Sequence, residues 1–144
     1  MSFSDLMNVA GSGMKAQSIR LNTTASNLGN ADSVASNEKE AYGARHPVFG
    51  VQERAFGDVF NDQFSKASAG VKVLGIVEGN APLRTEYRPH HPLANEEGYV
   101  TVSNVNMMEE MADMLSATQS YKMSVEMMRT GKELMLATLR LGQQ

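Results

Sequence analysis

The sequence predicts a mainly α fold, in which long N- and C-terminal helices pair as a coiled coil around a small β/loop insertion. Three observations carry this. Apolar residues recur at heptad spacing at both ends. All four prolines and seven of the twelve glycines fall between Asp32 and Asn104, where they disfavour long helices. Two short runs rich in β-branched residues lie in that same middle stretch. The predicted organisation is a discontinuous helical assembly domain, residues 1–31 plus 105–144, and an inserted strand-and-loop segment, residues 32–104.

At the N-terminal end, steps of four and three from Phe3 reach Met7, Ala10, Met14, Gln17, Leu21, Thr24 and Leu28. Met7, Met14, Leu21 and Leu28 form an apolar line one heptad apart. Ser2, three residues before Asp5, is a candidate cap. A helix of about 27 residues would be roughly 40 Å long, well beyond the average globular helix, and such length favours a coiled coil.

This helix is short of charge. Up to Ala31 it carries only Asp5, Lys15 and Arg20, where average composition gives about eight charged residues. A helix with one partner should keep a charged outer face. Its expected outer positions are instead Ser12, Ser18, Asn22, Thr23, Ser26, Asn27 and Asn30, small or amide groups that can hydrogen-bond across close helix contacts. The face reads as built for several neighbours. Gly11 and Gly13 allow either a close backbone approach or a local break, since each costs about 1 kcal/mol relative to Ala inside a helix.

At the C-terminal end the same stepping gives Met107, Met111, Met114, Thr118, Tyr121, Val125, Met128, Lys132, Met135 and Leu139. Asn106, three residues before Glu109, resembles a capping box, and Gly142 is a natural stop. Glu109, Glu110 and Asp113 open this helix and Lys122, Arg129, Lys132 and Arg140 follow, the order that complements a helix dipole. Eight of the eleven methionines fall between Met107 and Met135. A methionine stripe at helical spacing is ordinarily core, and its flexible thioethers also suit contacts between non-equivalent surfaces.

In the middle, "VKVLGIV" (Val71 to Val77) and "GYVTV" (Gly98 to Val102) read as strands. "ADSVASNEKEAYGARHP" and "YRPHHPLANEE" lack periodicity and read as loops. The economical arrangement lays the terminal helices against each other with the insertion at the far end, both termini sharing one end of a rod-like subunit.

The inventory argues against chemistry. The absence of cysteine removes disulfides, thiolate metal sites and a Cys nucleophile. His46, His90 and His91 are the only histidines, and the adjacent pair cannot share one helical face as ligands. No glycine-rich phosphate loop, G-x-S-x-G elbow or EF-hand spacing occurs. No catalytic residue, cofactor site or metal site is expected. A net charge of −3 offers no basic field for nucleic acid, and no apolar run is long enough to span a bilayer. The first basic residue, Lys15, comes too late for a cleaved secretory signal.

Several segments resemble one family. "SGMKAQSIRLNTTASNLGNADS" is similar to the N-terminal segment shared by axial proteins of the bacterial flagellum. "YGARHPVF" (Tyr42 to Phe49), "VKVLGIVEGNAPLRTEYRPHHPLANEEGYV" (Val71 to Val100) and "NVNMMEEMADMLSATQSYKMSVEMMRTGKELMLATLRLGQ" (Asn104 to Gln143) are more specific. With them the whole chain resembles the flagellar basal-body rod proteins of the C type, components of the proximal rod. It departs from that pattern at Ser103, where a proline commonly precedes the NV pair, at Gly29 in place of a common alanine, and at Asn106 where Asp is frequent.

The resemblance implies a structural subunit that polymerises with copies of itself and other rod proteins into a hollow drive shaft. Such a shaft encloses the export channel and carries motor torque to the hook. It implies passage through the flagellar type III export apparatus without a cleavable signal, contacts with basal-body ring and export-gate-associated proteins at the rod base, and no membrane insertion. It implies that the terminal helices make an inner axial layer, with Met7, Met14, Leu21 and Leu28 facing partners between Met107 and Leu139. The expected packing and assembly residues are these four with Asn27, Asn30, Met107, Met111, Met114, Tyr121, Val125, Met128, Met135 and Leu139. Alternatives are a soluble coiled-coil adaptor, which would need charged flanks on the first helix, or another axial protein such as a distal rod or hook-type subunit.

Helices with unburied apolar faces have little to hold them in isolation. The dilute monomer is therefore expected to exchange most amides of both terminal helices rapidly, and strong protection throughout them would overturn this.

Overall fold

The computed structural model describes residues 3–52 and 70–142. Ser2, the candidate cap, lies outside the described residues. Helix α1 runs unbroken over Phe3–Gly29, so Gly11 and Gly13 mark no break. Asp5 lies in its first turn, where a carboxylate complements the exposed amide groups.

Among the described residues five strands follow: β1 (Val34–Ala35), β2 (Arg45–Val51), β3 (Val71–Glu78), β4 (Arg84–Tyr87) and β5 (Tyr99–Val102). Helix α2 spans Met107–Leu141, 35 residues. The Asn106 carboxamide oxygen accepts from the Met108 amide at 3.2 Å, which makes Asn106 the N-cap. At the other end the Gly142 amide donates to the Thr138 carbonyl at 3.1 Å. No helix among the described residues is long and apolar enough to cross a membrane.

Strands β3 and β5 coincide with the two apolar runs. Strands β1, β2 and β4 lie where no strand was expected, for physical reasons. β2 contains Pro47, which cannot donate to a ladder, and β4, "RTEY", has no apolar alternation. β4 exists through pairing: Arg84, Thr85, Glu86 and Tyr87 stand opposite Val102, Thr101, Val100 and Tyr99 in antiparallel register. β1 adds to the other edge of β5, giving the order β1-β5-β4. β2 pairs with β3 in a separate two-stranded ribbon. Bonds from the Gln52 amide to the Gly70 carbonyl (2.8 Å) and from Gly79 to Ala44 (2.7 Å) bracket it as antiparallel.

The chain forms two compact units. One contains residues 1–19, 48–75 and 117–144, the other 20–47 and 76–116. In the first, the N-terminal half of α1 lies antiparallel to the C-terminal half of α2. A Cβ on Gly131 would stand 2.8 Å from Leu6 Cδ2 and 3.0 Å from Met7 Cε, one on Gly13 would meet Ser124 Oγ at 3.3 Å, and one on Gly11 would meet Met128 Cε at 3.9 Å. The β2–β3 ribbon also reaches this unit, where the Val71 amide donates to Ser12 Oγ at 3.1 Å. The insertion is thus not confined to the far end of the helices, because Ser12 offers the ribbon a hydrogen bond on α1.

In the second unit the C-terminal half of α1 lies antiparallel to the first turns of α2, with Arg20 bonded to Asp113 at 2.7 Å. Ala31, Ala44 and Val105 form a buried cluster with Tyr42 packed against it. Val100, Thr101 and Val102 are all buried, so β5 is covered on both faces as the central strand. The β4–β5 connection is a built turn: the Arg88 amide donates to the Gly98 carbonyl at 2.9 Å, and Asn95 Oδ1 accepts from the Glu97 and Tyr99 amides. Tyr87 and Tyr99, directly opposite, meet edge to face at 5.2 Å.

Gly98 has φ +83°, and a Cβ there would also stand 2.8 Å from Tyr87. Gly98→Ala should therefore cost about 1–3 kcal/mol and lower amide protection across Tyr87 and Tyr99. At Gly29 a Cβ would meet nothing within 4 Å and the backbone is not left-handed. Gly29→Ala should stabilise the last turn of α1 by about 0.5–1 kcal/mol; slower exchange in that turn is the readout.

Candidate assembly surfaces and the Asn27 junction

The buried hydrophobic residues are Ala10, Ala16, Ala31, Ala35, Ala44, Val100, Val102, Val105 and Ala117. No buried Leu, Ile, Met or Phe occurs among the described residues. Where the helices approach, the inward line of α2 is Glu110, Ala117, Ser124 and Gly131, one heptad apart and mostly small. On α1, Gly13 faces Ser124 and Asn27 faces Glu110, while Leu6 and Met7 lie over Gly131.

Most of the large apolar side chains stand elsewhere. Met7, Met14, Leu21, Leu28, Met114 and Met128 are half-buried. Met107, Met111, Tyr121, Val125, Met135 and Leu139 are exposed, as are Met108, Leu115, Met123, Met127, Leu134, Leu136 and Leu141. Met123, Met127, Thr130, Leu134, Ala137 and Leu141 follow a second heptad line on α2 with no charged member. Beside it runs an exposed row of charge, in which Arg129 bonds Glu133 at 3.1 Å and lies 3.9 Å from Glu126. That hydrogen bond and both carboxylates raise the Arg129 pKa further above its ordinary value.

Of the supposed outer positions of α1, Asn22 and Ser26 are exposed, and Ser12, Ser18 and Asn30 half-buried. Thr23 and Asn27 point inward instead, at 7% and 0% exposure. Part of the uncharged face is thus covered by this chain itself.

Asn27 explains why. Its Nδ2 donates to the Arg45 carbonyl at 2.7 Å and to Glu110 Oε1 at 2.8 Å. Its Oδ1 accepts from the Arg45 amide at 2.9 Å and from the Tyr42 hydroxyl at 3.0 Å. All four hydrogen-bonding positions of the carboxamide are filled, and two of them bind the first residue of β2 as a neighbouring strand would. The Arg45 guanidinium sits 5.3 Å from the Tyr42 ring centre, within cation–π range. The other Glu110 oxygen, Oε2, is buried with no hydrogen-bond partner in the structure.

Asn104 acts in parallel. Its Oδ1 accepts from the Ala44 amide at 2.7 Å and its Nδ2 donates to the Ala81 carbonyl at 2.6 Å. Ser103, 0% exposed, donates its amide to the Ser33 carbonyl at 3.3 Å, a bond that a proline could not make. The roles of Tyr42, Asn104 and Glu110 were not foreseen. Tyr42 and Asn104 nevertheless lie in "YGARHPVF" and "NVN", two of the segments that carried the resemblance. Among the described residues no group of three His, Asp or Glu could hold a metal ion.

Two family models match the chain. That of the flagella basal body rod protein covers residues 7–35, and that of the flagellar basal body rod FlgEFG protein C-terminal region covers residues 96–141. They cover most of both helices, with Asn27 and Glu110 of the junction but not Tyr42 or Arg45, and they define the class as a structural protein of the flagellar rod.

Similarity to flagellar basal-body rod proteins FlgC extends over nearly the whole length. It is 41% identity to the Salmonella typhimurium protein and 42% to that of Escherichia coli O157:H7, in each case over 99% of this chain and 100% of the relative. With the Bacillus subtilis protein it is 34% over 94% and 95%. The chain belongs to the FlgC family of flagellar basal-body rod proteins.

Asn27→Ala would strand the Arg45 amide and carbonyl, the Tyr42 hydroxyl and Glu110 Oε1 together. The expected cost is about 2–4 kcal/mol, read as earlier thermal unfolding and faster proteolysis near Tyr42. Asn27→Asp, which sets an oxygen against Glu110 Oε1, should be at least as damaging; unchanged stability in both variants would remove the junction from its central place.

Proposed function

We propose that this chain is a subunit of the proximal rod, polymerising with copies of itself and other rod proteins into the hollow shaft that carries torque to the hook and encloses the export channel. The observation that supports this is the distribution of apolar mass. Alanine and valine fill the inside, while most of the methionine and leucine of α2 faces outward. An uncharged, apolar α2 surface gains about 25 cal/mol for each Å² of apolar area that a neighbour covers. Exposed apolar area of this extent ordinarily marks an interaction site.

Residues 1–31 and 105–144 form the assembly domain on this reading, and pair as a coiled coil once neighbours complete the apolar lines. Met7, Met14, Leu21, Leu28, Asn30, Met107, Met111, Met114, Tyr121, Val125, Met128, Met135 and Leu139 are the packing residues, within and between subunits. Asn27 acts from inside, by holding α1, β2 and α2 in register. Segment 32–104 supplies the ribbon and the small sheet that fix each pair of helix segments. Torque passes through many packed contacts in parallel, so the function requires no reacting residue. Partners at the rod base are ring and export-gate-associated proteins, reached through the type III export apparatus.

Peptide mass spectrometry of purified hook and basal-body particles, against an extract lacking flagella, should find the chain enriched with other rod proteins. Leu134, 63% exposed, is free of the buried core. Leu134→Asp should leave the chain exported and abolish rods and motility. Normal rods built from that variant would take the second line of α2 out of the assembly surface.

A further inference from the structure

We propose that four methionines of α2, Met108, Met111, Met123 and Met127, form a peroxide-sensitive modification site whose oxidation removes a subunit from assembly. The proposal rests on the reading that the outward lines of α2 are assembly surfaces.

Their exposures are 76%, 53%, 63% and 49%, so their thioethers are open to a small oxidant. Met128, on the same helix, is half-buried and its Cε approaches Gly11. The four are also grouped. Met123 and Met127 begin the uncharged line that continues through Leu134 and Leu141, while Met108 and Met111 stand at i and i+3 with Leu115 following at i+7. On a helix each set shares one face.

Leu115, Leu134 and Leu141 share these lines, so sulfur is not what makes them apolar. Methionine adds chemistry that leucine lacks. The sulfur lone pair attacks one peroxide oxygen and the O–O bond breaks. Sulfur is oxidised to the sulfoxide, and the departing hydroxide takes a proton to leave as water. The product is polar and chiral on a surface that must be buried without hydrogen-bond partners, so each sulfoxide opposes docking. Within a completed rod the same side chains would be covered and slow to react. The device therefore discriminates by time: a subunit left unassembled is marked, whereas an incorporated one is protected. Sulfoxide reduction by enzymes of both stereochemical classes would reverse the mark.

The test is a brief hydrogen peroxide pulse to flagellated cells, followed by peptide mass spectrometry of the chain in purified rods and in the unassembled pool of the same cells. The sulfoxide fraction at the four positions should be about tenfold lower in rods than in the pool. Equal sulfoxide fractions in rods and pool would overturn the proposal. Over a peroxide-free chase, unassembled chain that carries the sulfoxides should stay in the pool while chain that lacks them enters new rods, and equal incorporation of the two would also overturn it. Absence of the native chain from rods of untreated cells would instead sink the assembly reading on which the proposal rests.

Discussion

The close approach of α1 and α2 is the constraint on which the rest of the structure depends. Each unit holds its helix segments together through small or polar positions: Gly131 beneath Leu6 and Met7 and Gly13 beside Ser124 in one, Asn27 on Glu110 in the other. Leucine and methionine enter this seam where a glycine faces them, at Gly131 and Gly11, and most of the large side chains of α2 stand on the flanks and the outside. A core of alanine and valine gains little from burial, because each such side chain removes far less apolar area from water than leucine or methionine would. The entropy of ordering two long helices is no smaller for that. Binding that covers the outward lines stabilises the ordered form by mass action. On the function proposed, folding and assembly draw on one reservoir of apolar surface.

The same constraint decides how much was legible in the sequence. Heptad spacing located both helices, and Asn106 and Gly142 marked the limits of α2, because caps and periodicity are local. The inward face was harder. Periodicity weights large apolar residues, and on α2 it selected Met107, Met111, Val125 and Leu139, which are exposed. The seam at Glu110, Ala117, Ser124 and Gly131 has the same seven-residue repeat but almost no hydrophobic signal. Thr23 and Asn27 were assigned outward for the corresponding reason, since polar residues are ordinarily exposed. Strand β4 was invisible because its existence comes from pairing with β5, a non-local term that "RTEY" does not carry.

The Asn27 junction shows how polar groups compensate for a thin core. A buried carboxamide with all four positions satisfied has very few geometries available to it. Here those positions bind Tyr42, both backbone groups of Arg45, and Glu110, so α1, the start of β2 and the first turns of α2 are held in one register. Asn104 binds Ala44 and Ala81 in the same manner. The segments that made the sequence recognisable are thus the ones whose side chains meet. By contrast, the Arg20–Asp113 pair is part-exposed, at 26% and 45%, and a pair of that kind contributes at most about 1 kcal/mol. Register within this unit is carried by neutral amides more than by charge.

Polar register and apolar assembly answer different demands. Directional hydrogen bonds lose strength steeply when donor and acceptor shift by a few tenths of an ångström, and they suit contacts that must remain identical in every subunit. Apolar contacts through methionine tolerate small changes of angle, and they suit surfaces that meet different neighbours along a mixed filament. The chain places the first kind at Asn27 and Asn104, inside the subunit, and the second on the outward lines of α2. A subunit so divided can repeat one internal geometry while its external contacts vary from place to place. In a shaft of the kind proposed, both would be needed wherever the contacts inside each subunit stay constant while its neighbours differ.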